Sequence, residues 1–92
     1  MKLNYEQNYK DLINSRKKLN RNKSDGNKYE KHHIFPRSLG GKDDEDNLVL
    51  LTFREHFLAH YLLYKIYNNK QMISAYYIMF TRSGTIKKFK TI

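Results

Sequence analysis

Thr52 and Glu55 constrain the chain more than any other pair of residues in it. A threonine followed three positions later by a glutamate is a capping box. The hydroxyl accepts the N–H of the third helical residue, and the carboxylate reaches back to the N–H of the cap. A helix therefore begins at Thr52, and the apolar run before it, Leu48 to Leu51, reads as a short strand that stops there. The helix continues to about Tyr67, where Asn68-Asn69 break it. It carries His56 and His60, four residues apart. Side chains at that spacing share a helical face, with Cβ atoms about 6 Å apart, so both imidazoles can reach one ion. Taken alone, the pair fits ordinary surface or core histidines equally well.

The rest of the chain builds around this strand and helix. Tyr29 to Phe35 reads as a first strand, limited by Pro36, which removes a ladder donor. Ser38 to Asn47 is a long loop with Gly40-Gly41, suited to a turn and close backbone approach, and four consecutive acids, Asp43 to Asp46. The two strands are expected to pair as a hairpin with a helix laid across them. Upstream, Asn4 and Gln7 form a weak capping box, and Tyr5, Tyr9, Leu12 and Ile13 recur at helical spacing, so a first helix is predicted to about Leu19. Its basic end suits the helix dipole. Asn20 to Asn27, which has no apolar residue, reads as a mobile loop. A third helix is predicted over Lys70 to Thr81, apolar through Met72, Ile73, Tyr76, Tyr77 and Phe80, with a frayed basic tail after Ser83-Gly84. The class is α+β.

Charge divides the chain in the same places. Of a formal +9 over 92 residues, residues 1–31 hold net +5, residues 32–60 net −2 and residues 61–92 net +6. The slightly acidic middle holds every histidine: His32, His33, His56 and His60. The middle suits cations and the ends suit phosphates. Such an excess implies a polyanionic partner, nucleic acid or an anionic membrane surface. The membrane is the poorer choice, because the basic ends lack a clear apolar face opposite a basic one. There is no cysteine, so disulfides and thiolate zinc sites are excluded. The first residues have no apolar core of signal-peptide type. The longest charge-free run, Gln71 to Thr81, is eleven residues, short of the roughly 20 of a membrane-spanning helix. The compartment is read as cytoplasmic.

His32 and His33 are adjacent on a strand, so they point to opposite faces. One can face the helix and the other a substrate. Four histidines within 29 residues, on two elements that pack together, point to a site. The run Tyr29-Glu30-Lys31-His32-His33-Ile34-Phe35-Pro36, then Gly40-Gly41, Asn47-Leu48, Glu55-His56 and His60 resembles the motif of the HNH endonucleases, and most of all those of phage-encoded homing endonucleases. The resemblance implies a ββα-metal fold, with 1–92 a single nuclease domain: 1–28 an N-terminal helix and basic loop, 29–67 the core, and 68–92 a C-terminal helix and basic tail.

It also implies roles. His33 matches the general base that takes a proton from the attacking water. A neutral imidazole suits this, its ordinary pKa being about 6.5. His32, His56 and His60 match metal ligands. Asn47 matches the central Asn, expected to brace the loop that holds the base. Glu30, two before His32, can accept a hydrogen bond from an imidazole or orient an arginine; a plain surface acid is the alternative. Arg54 and Arg37 can touch the scissile phosphate or be simply exposed. The acids Asp43 to Asp46 are read as solvated, not as ligands.

The implied reaction is metal-dependent hydrolysis of a DNA phosphodiester, leaving 5′-phosphate and 3′-hydroxyl ends. One divalent ion would offset charge in the transition state. An all-histidine set suits Zn, Ni or Co, and Mg or Mn suit the chemistry. The substrate is read as double-stranded DNA, cut with low sequence specificity, since no base-reading motif is visible. The chain is then a minimal nuclease or a shortened relative, monomeric or homodimeric, working in the cytoplasm of a phage-infected bacterium. The alternative is a non-catalytic, metal-stabilised DNA-binding module.

Overall fold

The computed structural model describes residues 4–83, apart from the side chain of Asp25. Helix α1 spans Tyr5–Lys17, strand β1 Glu30–His33, strand β2 Leu48–Leu51, helix α2 Phe53–Tyr67 and helix α3 Lys70–Arg82. The predicted order of elements and the α+β class hold. The expected basic tail after Gly84 lies outside the described residues.

The two strands form an antiparallel hairpin with Glu30 opposite Leu51, Lys31 opposite Leu50, His32 opposite Val49 and His33 opposite Leu48. The pleat sorts them. Val49, Leu51 and His32 are buried on one face, while Lys31 and His33 lie on the other. Helices α1 and α2 cover the buried face, and α3 packs on α2. Tyr9, Leu12 and Ile13 of α1 meet Val49, Leu51, Ala59, Leu62, Leu63 and Met72 in one core. Each fully buried leucine contributes roughly 1.5–3 kcal/mol relative to exposure.

The caps explain the boundaries. The Thr52–Glu55 box is complete: Thr52 Oγ1 accepts from the Glu55 N–H, and Glu55 Oε1 from the Thr52 N–H. Asn4 accepts the Gln7 N–H, but the Gln7 side chain turns forward to Asp11, so that box is half formed. Helix α1 stops at Lys17, two residues early, because Leu19 and Asn20 close tighter turns onto Arg16 and Lys17 and Asn20 adopts a left-handed φ of 49°. The two asparagines at the α2–α3 junction divide the work. Asn68 is left-handed at φ 47° and ends α2, while the Asn69 side chain caps α3 through the Met72 N–H.

Strand β1 is shorter than the predicted Tyr29 to Phe35. In the segment 20–27, Lys23–Asp25 forms a short 3-10 turn capped by Asn22. Arg21 anchors that segment, donating to the Leu50 carbonyl and to Glu55 and lying over the Tyr29 ring. On α3, Met72 and Met79 are buried. Tyr76 stacks on Tyr64 with centroids 5.5 Å apart and Phe80 meets Phe57, whereas Ile73 and Tyr77 are exposed. No helix among the described residues is long and apolar enough to cross a membrane.

Candidate metal centre

His32 projects from β1 toward α2, where His56 and His60 stand one turn apart. Ring centroids are 5.0 Å apart for His32 and His56, 5.2 Å for His32 and His60, and 4.7 Å for His56 and His60. One nitrogen from each ring lies within 4.8 Å of the other two. The rings sit in the interior: His32 is 2% exposed, and His56 and His60 are part-buried.

Hydrogen bonds determine which nitrogens remain available. The His56 Nδ1 is 2.8 Å from Glu30 Oε1. A carboxylate only accepts, so Nδ1 carries the proton and Nε2 is left as a lone pair. That Nε2 lies 3.0 Å from His60 Nε2, and His60 Nδ1 is buried with no hydrogen-bond partner. Two ring nitrogens thus converge on one point. In a tetrahedral ion site with ligands at about 2.0–2.1 Å, neighbouring nitrogens would be roughly 3.3 Å apart. The donor set and its spacing fit one divalent ion after small adjustments.

Burial pushes the His32 imidazole pKa down to about 2, reinforced by His60, His56 and His33, and pushes that of His60 down to about 4, reinforced by His56. Both are neutral at ordinary pH, as a ligand must be. Glu30 is held at about 2, chiefly by the Arg82 guanidinium against some burial penalty, with His56 adding to it. Arg82, in the last turn of α3, pairs with both oxygens of Glu30 and lies over the Phe53 ring, 4.7 Å from its centroid.

His33 lies across the strand from this cluster. Its Nε2 is 2.7 Å from Asp43 Oδ1, and that bond, with Arg37 nearby, lowers the Asp43 carboxyl pKa. The loop joining the strands is clasped by Asn47. The Asn47 Oδ1 accepts the Phe35 N–H at 2.7 Å, and its Nδ2 donates to the Phe35 and Lys42 carbonyls at 3.0 and 2.8 Å. Its backbone carbonyl accepts from Ile34 and its N–H donates to Asp44. The two glycines act differently. Gly40 takes a left-handed φ of 104°, whereas a Cβ on Gly41 would lie 1.8 Å from the Phe35 carbonyl oxygen.

A family model for HNH endonuclease matches residues 16–56, a span that runs from the end of α1 through both strands to His56. Over 77 residues, 84% of it, the chain is 49% identical to a protein described as "Probable mobile endonuclease C" of Enterobacteria phage T4. To "Probable mobile endonuclease E" of the same phage it is 46% identical over 89 residues, and to "Probable mobile endonuclease D" 53% over 77. Over residues 16–56 the chain is thus similar to the HNH endonucleases. The matched parts cover 36%, 59% and 30% of those three relatives, so they are longer proteins. No solved structure matches the chain.

Within the HNH motif of this chain, the fold brings His32, His56 and His60 together and sets His33 apart. Asn47 is in the loop clasp, and Glu30 bridges His56 and Arg82. Arg54 is exposed at the start of α2, and Arg37 is exposed with its Nε 4.0 Å from Asp43. His60 lies beyond the family match and joins the cluster through helical spacing.

Three contacts were not foreseen from sequence. Asp43 engages His33, although the acidic run reads as merely solvated; the signal was its place in a loop closed by Asn47. Arg82 engages Glu30 from 52 residues away in sequence, and its identity follows only from the packing of α3. Tyr9 Oη is 2.7 Å from His32 Nε2 and donates to the Ile34 carbonyl at 2.7 Å. Burial, with some help from Tyr67, raises its hydroxyl pKa, so the proton stays on. Its helical spacing marks Tyr9 only as a core aromatic.

Proposed function

We propose that this chain is the nuclease unit of a mobile-element DNA endonuclease, hydrolysing phosphodiester bonds with His33 as general base. The observation that carries this reading is the separation of adjacent histidines: His32 turns inward to His56 and His60, and His33 turns outward to Asp43. A structural metal site has no use for the outward one.

The Asp43 carboxylate accepts from His33 Nε2, which leaves Nδ1 as the lone pair that takes a proton from water. Asn47 fixes the loop and with it the position of Asp43. His32, His56 and His60 would hold one divalent ion, with Mg, Mn, Zn, Ni and Co the candidates. Bound there, the ion would supply Lewis-acid stabilisation of charge on the phosphate. Glu30 orients His56 by accepting from Nδ1. Arg37 and Arg54 are exposed and free to approach phosphate oxygens. The basic flanks bind the duplex backbone, which makes affinity fall with salt. Sequence specificity of the unit by itself is low, because these contacts go to phosphates rather than base edges.

The test is plasmid cleavage by the wild type and His33→Ala with Mg, Mn, Ni or Zn. Metal-dependent cleavage that the substitution removes is expected. Cleavage unchanged in His33→Ala would overturn the base assignment. No cleavage with any metal would favour a metal-stabilised DNA-binding module.

A further inference from the structure

We propose that Tyr9 is a positioning residue of the metal centre, whose hydroxyl sets the His32 tautomer and so leaves Nδ1 as the ligand atom. This rests on reading His32, His56 and His60 as a metal site. Tyr9 has one hydroxyl proton, and the Ile34 carbonyl, 2.7 Å away, can only accept it. The same oxygen is 2.7 Å from His32 Nε2. With its proton already given to Ile34, the hydroxyl meets Nε2 as an acceptor, so Nε2 must carry the ring proton. The opposite assignment would give the hydroxyl proton to His32. The Ile34 carbonyl would then face a bare oxygen at hydrogen-bond distance.

Burial makes the choice firm. His32 is 2% exposed and Tyr9 8%, so water has little room to replace either bond. An unmade bond there would leave a buried polar group with no partner in place of the one it lost. His32 has one lone pair left, at Nδ1, and the ring stands steeply inclined to those of His56 and His60, at 71° and 87°. Tyr9 thereby does for His32 what Glu30 does for His56: a partner on one ring nitrogen fixes which nitrogen keeps its lone pair. The strand–strand–helix unit supplies all three histidines, but the partner of the most buried one comes from α1.

The experiment uses the whole chain in two measurements. In metal-free wild type labelled with ¹⁵N-histidine, long-range proton–nitrogen correlations should report His32 as the Nε2–H tautomer. Nδ1–H would overturn the proposal. Zn affinity is then measured by competition with a chromophoric chelator for wild type, Tyr9→Phe and Tyr5→Phe. Tyr9→Phe should weaken binding roughly 10–100-fold and mix the His32 tautomers, whereas Tyr5→Phe, on the same helix, should bind as wild type. A folded Tyr9→Phe with wild-type affinity overturns the assignment, and if that variant does not fold, the wild-type tautomer decides it. Wild type that binds no Zn overturns both the metal reading and this one. Metal binding that depends on Tyr9 without any DNA cleavage would sustain the inference while refuting the nuclease.

Discussion

The two faces of the hairpin hold adjacent histidines in opposite circumstances. On the inner face, His32 is 2% exposed, its neighbours are two other rings, and a tyrosine hydroxyl occupies its Nε2. On the outer face the His33 side chain is 26% exposed and bonded to an aspartate that is itself 71% exposed. Alternation along a strand is enough to produce this difference. Burial keeps the inner ring neutral and dry, as a ligand requires. The outer ring stays in reach of solvent and substrate, as proton transfer requires. A one-residue shift of register would exchange the two environments.

The largest expected effect separates the faces by function. His33→Ala should lower metal-supported DNA cleavage by roughly 10²–10⁴-fold, with metal affinity unchanged, in side-by-side cleavage and chelator-competition assays. Asp43→Ala should lower cleavage less, again without a change in affinity. If His33→Ala loses the metal, the two faces are not independent. Next comes stability. Leu51, beneath the inner face and 0% exposed, should cost about 2–5 kcal/mol when replaced by alanine. Leu48, opposite His33 on the outer face, should cost clearly less. Urea denaturation of both variants measures the difference, and equal costs would contradict the burial contrast.

Glu30→Gln should reduce metal affinity by roughly 10–100-fold, because the carboxylate that holds His56 Nδ1 is replaced by a neutral amide. Cleavage at saturating metal should recover most of its rate, a result that affinity and rate titrations would distinguish from damage to His33. The smallest effect per step is expected from a pH series on metal-free protein. His32 and His60 are lowered from 6.5 to about 2 and about 4. The unfolded chain therefore binds protons below 6.5 that the native state refuses, so their contribution is whole above 6.5 and declines as pH falls. Glu30 and Glu55, lowered from 4.5 to about 2, act in the same direction at lower pH. Their stabilisation is whole above 4.5 and lost as pH falls through about 2. A urea midpoint that stayed flat from 6.5 down to 4.5 would show that the inner face is wetter than described.

Local signals in the sequence carry much of this arrangement. The Thr52–Glu55 box places the start of α2, and the spacing of His56 and His60 places both on one face, because each depends only on residues within one helical turn. The opposite facing of His32 and His33 follows from the strand pleat. The contacts of Tyr9 and Arg82 are different. They are 23 and 52 residues away from their partners His32 and Glu30, and only the packing of α1 and α3 against the hairpin and α2 brings them there. Asp43 was obscured for another reason. A run of four acids looks alike at every position, and only the loop closure by Gly41 and Asn47 singles out the first. The early end of α1 follows from the turn geometry at Asn20, a choice that propensity leaves open.

One carboxylate has a wider reach than its place in the capping box suggests. Glu55 accepts the Thr52 N–H while also pairing with Arg16 of α1 and Arg21 of the segment after it, both at 2.5 Å. The turn that precedes His56 is thus fastened to α1, the same helix that sends Tyr9 to His32. Opening α1 would free the capping carboxylate from Arg16 and His32 from Tyr9 together. The histidine cluster and α1 should therefore behave as a single cooperative unit. Amide exchange in α1 is expected to slow together with that in the first turns of α2 when metal is added, although α1 contributes no ligand.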